Sequence, residues 1–479
     1  MGKWAKALTV VLLPMLCLAG QSLSSPVAAQ RPPNIVFILT DDQAIDTLQK
    51  MPHVQRLARY GTTFRRAFVS TSLCCPSRAT ILTGLLAGHT GVWTNGDGNT
   101  RWGGWPAFRR NGIERNGSPF NGDGDNERRT IAVYLRRAGY RTGLFGKYLN
   151  HYEKPSGRVP PIPPGWSSWH SFIGGNGAYY GYRSSDQGKR HFHGSKPRDY
   201  STDLFGRKAR QFLLSPGIQH GSLPFFLFYA PHAPHGPVTP APGFADVAAA
   251  RPFETRAYNE LRVNDKPGYV RNAPLIGPHQ RHHLGATWDD VYGTLRSVDA
   301  WVGRFRRALP LPVRHRTIFI FMSDNGFTWG DHRLDYKEYP YERSIRVPLI
   351  IAGPGIAHAS TPALVTNTDL TPTILDLAGL GGTGGPFDGH SLKRVLTGTS
   401  GSGTKAILLE HLTTKRAPSF CGLRTNSWKY VLYRSGFQEL YNLTRDPYEL
   451  TNVAHQRPNV RRNLRRATLA ACHPRPPDW

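Results

Sequence analysis

Short apolar runs without polar alternation recur along this chain, and each closes on chemically capable residues. Residues 34–40 read Asn-Ile-Val-Phe-Ile-Leu-Thr and end at Asp41-Asp42. Residues 141–145 precede Gly146-Lys147, 224–229 precede Ala230-Pro231-His232, and 317–322 precede Ser323-Asp324-Asn325. Runs of this kind predict strands buried on both faces, as in a parallel sheet. Amphipathic segments over 129–138, stopped at Gly139, and from about 288 to 309 predict intervening helices. The alternation predicts an α/β fold with a large, mainly parallel sheet flanked by helices. In such sheets ligands bind beyond the carboxyl ends of the strands, so four polar strand ends predict one shared crevice.

The stretch after Tyr152 is irregular, with proline-rich 153–164 and glycine-rich 174–181, and loops of that length are uncommon unless functional. Gly, Thr and Ser around 381–385 and 397–403 read as linkers and put a boundary near residue 400. Beyond it, short strands over 406–410, 421–424, 428–433 and 439–442 and a basic helix over 459–471 predict a small antiparallel sheet with a covering helix. At 479 residues the chain exceeds one ordinary core, so the expected division is a large domain over 30–400 and a smaller one over 401–479.

Lys3, Lys6, an apolar run over 7–18 and the small residues Val27-Ala28-Ala29 predict a cleaved secretory leader over 1–29. No other apolar stretch approaches the ~20 residues that a membrane span needs. The formal charge of +28 favours polyanionic partners. Arg and Lys are scattered rather than gathered into a stripe, and export separates the chain from nucleic acid, so acidic glycans fit better than DNA or RNA.

The most informative string is Cys74-Cys75-Pro76-Ser77-Arg78-Ala79-Thr80-Ile81-Leu82-Thr83-Gly84. Pro76 suits a first helical turn, which places Cys74 just outside a helix N-terminus, where anions are favoured. Cys74-x-Pro76-Ser77-Arg78 with Thr83 and Gly84 resembles the signature of formylglycine-dependent sulfatases, in the alkaline-phosphatase-like superfamily. The resemblance implies that Cys74 is oxidised by a formylglycine-generating enzyme to Cα-formylglycine (3-oxoalanine). It also implies a divalent ion held by Asp41, Asp42, Asp324 and Asn325 together with residue 74. That all-oxygen shell suits Ca²⁺, with Mg²⁺ as the alternative. The string from Trp428-Lys429-Tyr430 to Asp446-Pro447-Tyr448-Glu449 resembles the C-terminal sulfatase subdomain. If Cys74 is consumed by oxidation, Cys421 and Cys472 are left to pair and Cys75 stays an odd thiol. A bond between Cys74 and Cys75 is the strained alternative.

In the family, an arginine at the place of Arg78 binds the formylglycine hydroxylate, and lysines at the places of Lys147 and Lys337 bind sulfate. Histidines at the strand end carrying His232 and His235 supply the leaving-group proton, with His235 favoured as donor and His232 second. His332, in Gly330-Asp331-His332, is a weaker candidate. The sequence departs from the common Lys-x-His pattern, because Leu149 stands at the histidine position, with Asn150 and His151 beside it. Lys147-Tyr148-Leu149-Asn150 and Trp93-Thr94-Asn95 resemble the N-acetylglucosamine-6-sulfatase branch. That implies a secreted sulfuric ester hydrolase acting on glycan 6-O-sulfates, with Asn95, His151 and His232 near the substrate. Rival readings are a broad arylsulfatase, a phosphonate or phosphodiester hydrolase of the same superfamily, and a non-catalytic glycan-binding protein with unmodified Cys74.

Overall fold

The structure, a computed structural model, describes residues 1–2, 31–97, 100–110, 126–153, 158–175, 177–382, 385–399 and 403–479. The leader expected over 1–29 lies outside the described residues except for Met1 and Gly2. Residues from Pro32 to Trp479 make one unit that holds two sheets.

The strands of the large sheet are β1 (Asn34–Thr40), β2 (Gly61–Phe68), β3 (Arg141–Gly146), β4 (Ser168–Phe172), β5 (Tyr182–Asp186), β6 (Lys189–His193), β7 (Phe225–Ala230), β8 (Thr317–Ser323), β9 (Leu349–Ala352) and β10 (Ala359–Thr366). They lie in the order β10-β2-β9-β8-β1-β7-β3-β4-β5-β6. The central run β8-β1-β7-β3-β4 is parallel, whereas β9 is antiparallel to both its neighbours and β5 and β6 continue the far edge antiparallel.

The apolar runs are continuous because both faces are covered. On one face Ile35, Phe37 and Leu39 of β1 join Ile318, Ile320 and Met322 of β8; on the other lie Val36 and Ile38 with Phe319 and Phe321. The helices used below are α1 (Pro52–Arg59), α2 (Cys74–Thr83), α3 (Ile131–Arg137), α4 (Ser201–Leu213), α5 (Pro278–Ala308), α6 (Leu370–Leu377) and α7 (Pro458–Ala471). α2, α3 and α6 cover the first face; α1, α4 and α5 cover the second. α5 begins ten residues before the expected 288, because its first turns carry His279, Arg281, His282 and His283 on exposed surface and show no apolar period.

α4 and α5 approach closely at Gly206. A Cβ there would lie 2.3 Å from the Trp301 ring, whose indole is fixed by a hydrogen bond from Nε1 to Asp203 Oδ1 at 2.6 Å. Gly206→Ala is therefore expected to cost about 1–3 kcal/mol by overpacking, read as a lower thermal midpoint. An unchanged midpoint would show that α4 can slide past the indole.

The second sheet is antiparallel, with β11 (Ala406–His411), β12 (Phe420–Thr425), β13 (Trp428–Tyr433) and β14 (Gln438–Asn442) in sequence order. α7 packs across β12 and β13, and a Cys421–Cys472 disulfide ties β12 to the end of that helix, Cα to Cα 6.2 Å. The Glu410 N–H donates to Ser70 O at 2.9 Å, which joins this sheet to the loop before α2.

Candidate active site

Register decides the site. Thr40 pairs with Ser323 across β1 and β8, Phe145 with Tyr229 and Gly146 with Ala230 across β3 and β7, so the four strands end at one edge. Asp41, Asp324 and Lys147 each follow the last residue of a strand, and His232 lies two residues beyond β7. Gly146 (φ 121°) is required here. A Cβ on it would lie 2.0 Å from Ala230 O, the oxygen that accepts the Lys147 N–H at 2.7 Å.

α2 brings the thiol to this edge. Cys74 is the first residue of the helix, with Leu73 as its cap, rather than just outside it, so Pro76 sits at the third position, where its missing N–H still costs no intrahelical bond. Asn95 Oδ1 accepts the Cys75 N–H at 2.9 Å and fixes the helix entry. Cys74 Sγ lies 3.2 Å from Asp41 Oδ1 and 3.8 Å from Asp42 Oδ1, and Lys337 Nζ reaches it at 2.8 Å. Arg78, one turn on, does not touch the thiol. Its Nε donates to Asp324 Oδ2 at 2.7 Å, and its Nη2 stands 3.5 Å from Asp41 Oδ2.

Asp41, Asp42 and Asp324 face Arg78, Lys147 and Lys337. Lys147 Nζ donates to Asp41 Oδ2 and Lys337 Nζ to Asp42 Oδ1, both at 2.5 Å. All six side chains are buried. Burial alone would raise the Asp41 pKa, but Lys147, His235, Arg78 and Lys337 hold it well below the carboxylate range. Burial and the Asp41 charge push Asp324 up to about 6. Burial followed by the Asp41 charge drives the Cys74 thiol well above its ordinary value. Lys337 is the reverse case: burial opposes its charge, yet Asp42 and Cys74 raise it well above the usual lysine value.

His235 stands at the mouth, Nε2 3.6 Å from Asp42 Oδ2, with its side chain 13% exposed. Burial lowers its pKa, partly offset by Asp42. His232 lies behind it, ring centroids 4.8 Å apart and planes tilted by 34°, and burial followed by the His235 charge drives it well below the usual imidazole value. His151 projects from the rim to Asp97, Nε2 to Oδ1 2.7 Å, while Leu149 points into the core beneath α2. His332 turns away from the crevice to Glu260, Nδ1 to Oε2 2.6 Å.

Sequence reasoning overlooked two residues. Asp97 reads locally as part of a turn, Asn95-Gly96-Asp97. Asn367 donates from Nδ2 to Ser77 Oγ at 3.0 Å and accepts the Ser70 N–H at 3.1 Å, buttressing α2 from 290 residues away, a distance no local signal bridges.

A family model described as Sulfatase matches residues 33–380, most of the chain. The chain belongs to the sulfatase family. A second model, N-sulphoglucosamine sulphohydrolase, C-terminal, matches 330–470 of this sulfatase. A Drosophila melanogaster protein named extracellular sulfatase SULF-1 homolog is 35% identical over 78% of the chain, which covers 32% of that relative. With its Caenorhabditis elegans counterpart at 47%, the chain spans about a third to a half of the extracellular sulfatases it matches. The N-acetylglucosamine-6-sulfatase of Capra hircus is 32% identical over 90% of this chain and 82% of its own length. A solved structure titled as a complex with its substrate D-glucosamine-2-N,6-O-disulfate has the same fold, with TM-score 0.72 and 24% identity over 92% of this chain and 97% of that one.

The donor set fits a divalent ion. Asp41, Asp42, Cys74 and His235 offer ligand atoms within 4.8 Å of one another. Asp324 and Asn325 adjoin them: Asp324 Oδ1 accepts the Asp42 N–H at 3.1 Å, and Asn325 Nδ2 donates to Asp42 Oδ1 at 2.7 Å. Asn325 Oδ1 is buried with no hydrogen-bond partner, which suits an oxygen that ligates a cation.

Proposed function

We propose that this sulfatase is a secreted enzyme that hydrolyses glycan sulfate esters, 6-O-sulfate on N-acetylglucosamine foremost, through a formylglycine generated from Cys74. The observation that carries the reading is the placement of Cys74 at the start of α2, between Asp41 and Lys337, with Arg78 and Lys147 both on Asp41. The 32% identity to N-acetylglucosamine-6-sulfatases over most of both chains supports the substrate. Export is supported by the leader read in the sequence and by relatives named extracellular sulfatases. Among the described residues no helix is long and apolar enough to cross a membrane.

A cysteine thiol held above its ordinary pKa is a poor nucleophile at neutral pH, so conversion of residue 74 gives the site its reactivity. Hydrated formylglycine supplies two geminal hydroxyls, one to attack sulfur and one to expel sulfate afterwards. Ca²⁺ held by Asp41, Asp42, Asp324 and Asn325 would supply Lewis-acid polarisation of sulfate and hydroxyl oxygens. Three carboxylates against three cationic side chains leave the site formally neutral. A divalent ion then creates a surplus that matches one monoanionic sulfate ester and one deprotonated hydroxyl. In this reading Lys147 and Lys337, paired with Asp41 and Asp42, turn to the sulfate oxygens, and Arg78 anchors Asp41 and Asp324.

His235 is the proton donor to the leaving alcohol in this reading. Its lowered pKa requires the bound sulfate anion to raise it, and its place at the mouth, partly exposed, lets it exchange a proton with solvent. His235→Ala is therefore expected to slow release from a sugar sulfate, a poor leaving group, by about 10²–10⁴-fold. A nitrophenyl sulfate, whose leaving group needs no proton, should be affected far less. Equal losses on both substrates would remove His235 from the acid role. The test of the function itself is release of inorganic sulfate from N-acetylglucosamine 6-sulfate by protein coexpressed with a formylglycine-generating enzyme. Release from an aryl sulfate alone would discard the 6-sulfoglucosamine assignment.

A further inference from the structure

At the edge of the large sheet opposite the crevice, the start of β8 and the end of β9 meet α1 and the helical turn Leu311–Arg314. Arg56, Arg306, Arg314 and His315 line a cavity there of about 250 Å³, floored by Leu57 and Phe319. The seven residues of β8 separate it from Asp324 by about 20 Å. Among the described residues no carboxylate lines this cavity. Burial and repulsion from Arg314 and Arg56 depress the pKa of Arg306. Like charges held together without a counter-ion in a concave site attract anions, and guanidinium forks match the oxygens of a sulfate group. Tyr60 stands at the rim, 55% exposed, with Arg56 over its ring at 5.8 Å, a flat apolar face of the kind a sugar ring can rest on.

We propose that this cavity is a second anion site that takes a sulfate group of a sulfated glycan and holds the polymer away from the ester being cleaved. The inference rests on the reading that sulfated glycans are the substrates, and it deepens that reading from a monosaccharide unit to a chain. A strongly basic chain is suited to such a polymer, and here Arg56, Arg306 and Arg314 line a cavity rather than convex surface.

Binding of a heparin hexasaccharide to the full chain carrying Cys74→Ala, measured by titration calorimetry at several salt concentrations, tests the site without turnover. Adding Arg306→Ser and Arg314→Ser is expected to weaken binding at least about tenfold and to flatten the salt dependence, because two phosphate-like contacts are lost. The same two substitutions with Cys74 intact should leave turnover of a small aryl sulfate within about twofold, since neither arginine approaches the crevice. Unchanged affinity and salt slope would overturn the proposal. So would tighter, equally Arg306-dependent binding of a DNA duplex, or inorganic sulfate competing at the hexasaccharide's own concentration. If the double variant does not fold, Arg56→Ser alone, at an exposed position, must show the same direction of change. Failure to release sulfate from N-acetylglucosamine 6-sulfate would sink the substrate assignment and leave these binding outcomes readable.

Discussion

Cys74→Ala should abolish sulfate release, lowering kcat/KM by at least about 10⁴-fold, while the thermal midpoint stays within a few degrees of the parent. The expected stability follows from the surroundings. Removing the sulfur leaves Lys337 on Asp42 at 2.5 Å and Lys147 on Asp41 at 2.5 Å, so no buried charge loses its partner. Cys74→Ser is the sharper variant. An unconverted serine has one hydroxyl, and a sulfate ester formed on it has no second hydroxyl to expel the group. A single burst of alcohol followed by arrest is expected. Steady turnover by the serine protein, with no aldehyde detected at residue 74, would remove the geminal-diol mechanism. An aldehyde in the peptide carrying Pro76-Ser77-Arg78 of active parent protein, shown by hydrazide capture, is the positive control.

Stripping divalent ions should eliminate turnover, and adding Ca²⁺ back should restore both activity and thermal midpoint. An ion that binds only the folded state stabilises by about 2.7 kcal/mol at a hundred times its Kd. The physical basis is the crowding of Asp41, Asp42 and Asp324 around the buried, unpartnered Asn325 Oδ1. Asp42→Asn should weaken ion binding by at least about 100-fold, read by the Ca²⁺ concentration that raises the midpoint. That readout does not depend on catalysis. A midpoint indifferent to Ca²⁺ in both proteins would mean that the three cationic side chains alone compensate the acids. Mg²⁺ restoring more activity than Ca²⁺ would favour the smaller ion.

Part of this arrangement was legible in the chain because chemistry and burial coincide locally. β1 and β8 could be read from 34–40 and 317–322, since a strand covered on both faces needs apolar residues at every position. The same argument fails at the margins. β6 reads Lys-Arg-His-Phe-His and is exposed, and β2 carries Arg65 and Arg66 in its middle, so neither shows an apolar run. The site residues on strand ends stood out as polar interruptions after such runs. Asp97 and Asn367 did not, because their roles depend on partners 54 and 290 residues away.

By itself, the sequence determined that this chain holds a parallel-type core, a cysteine poised at a helix start and acids and cations at strand ends, because each rests on composition within a few neighbouring residues. The tertiary structure decided how these meet. The β1–β8 and β3–β7 registers bring Asp41, Asp324 and Lys147 to one edge, and α2 sets Cys74 between Asp41 and Lys337. It turns Leu149 into the core and His332 toward Glu260, away from the crevice. It also gathers Arg56, Arg306 and Arg314 at the far edge of the sheet. Charges distant in sequence find one another only when register and packing place them within a few ångströms, and pattern along the chain carries no record of that.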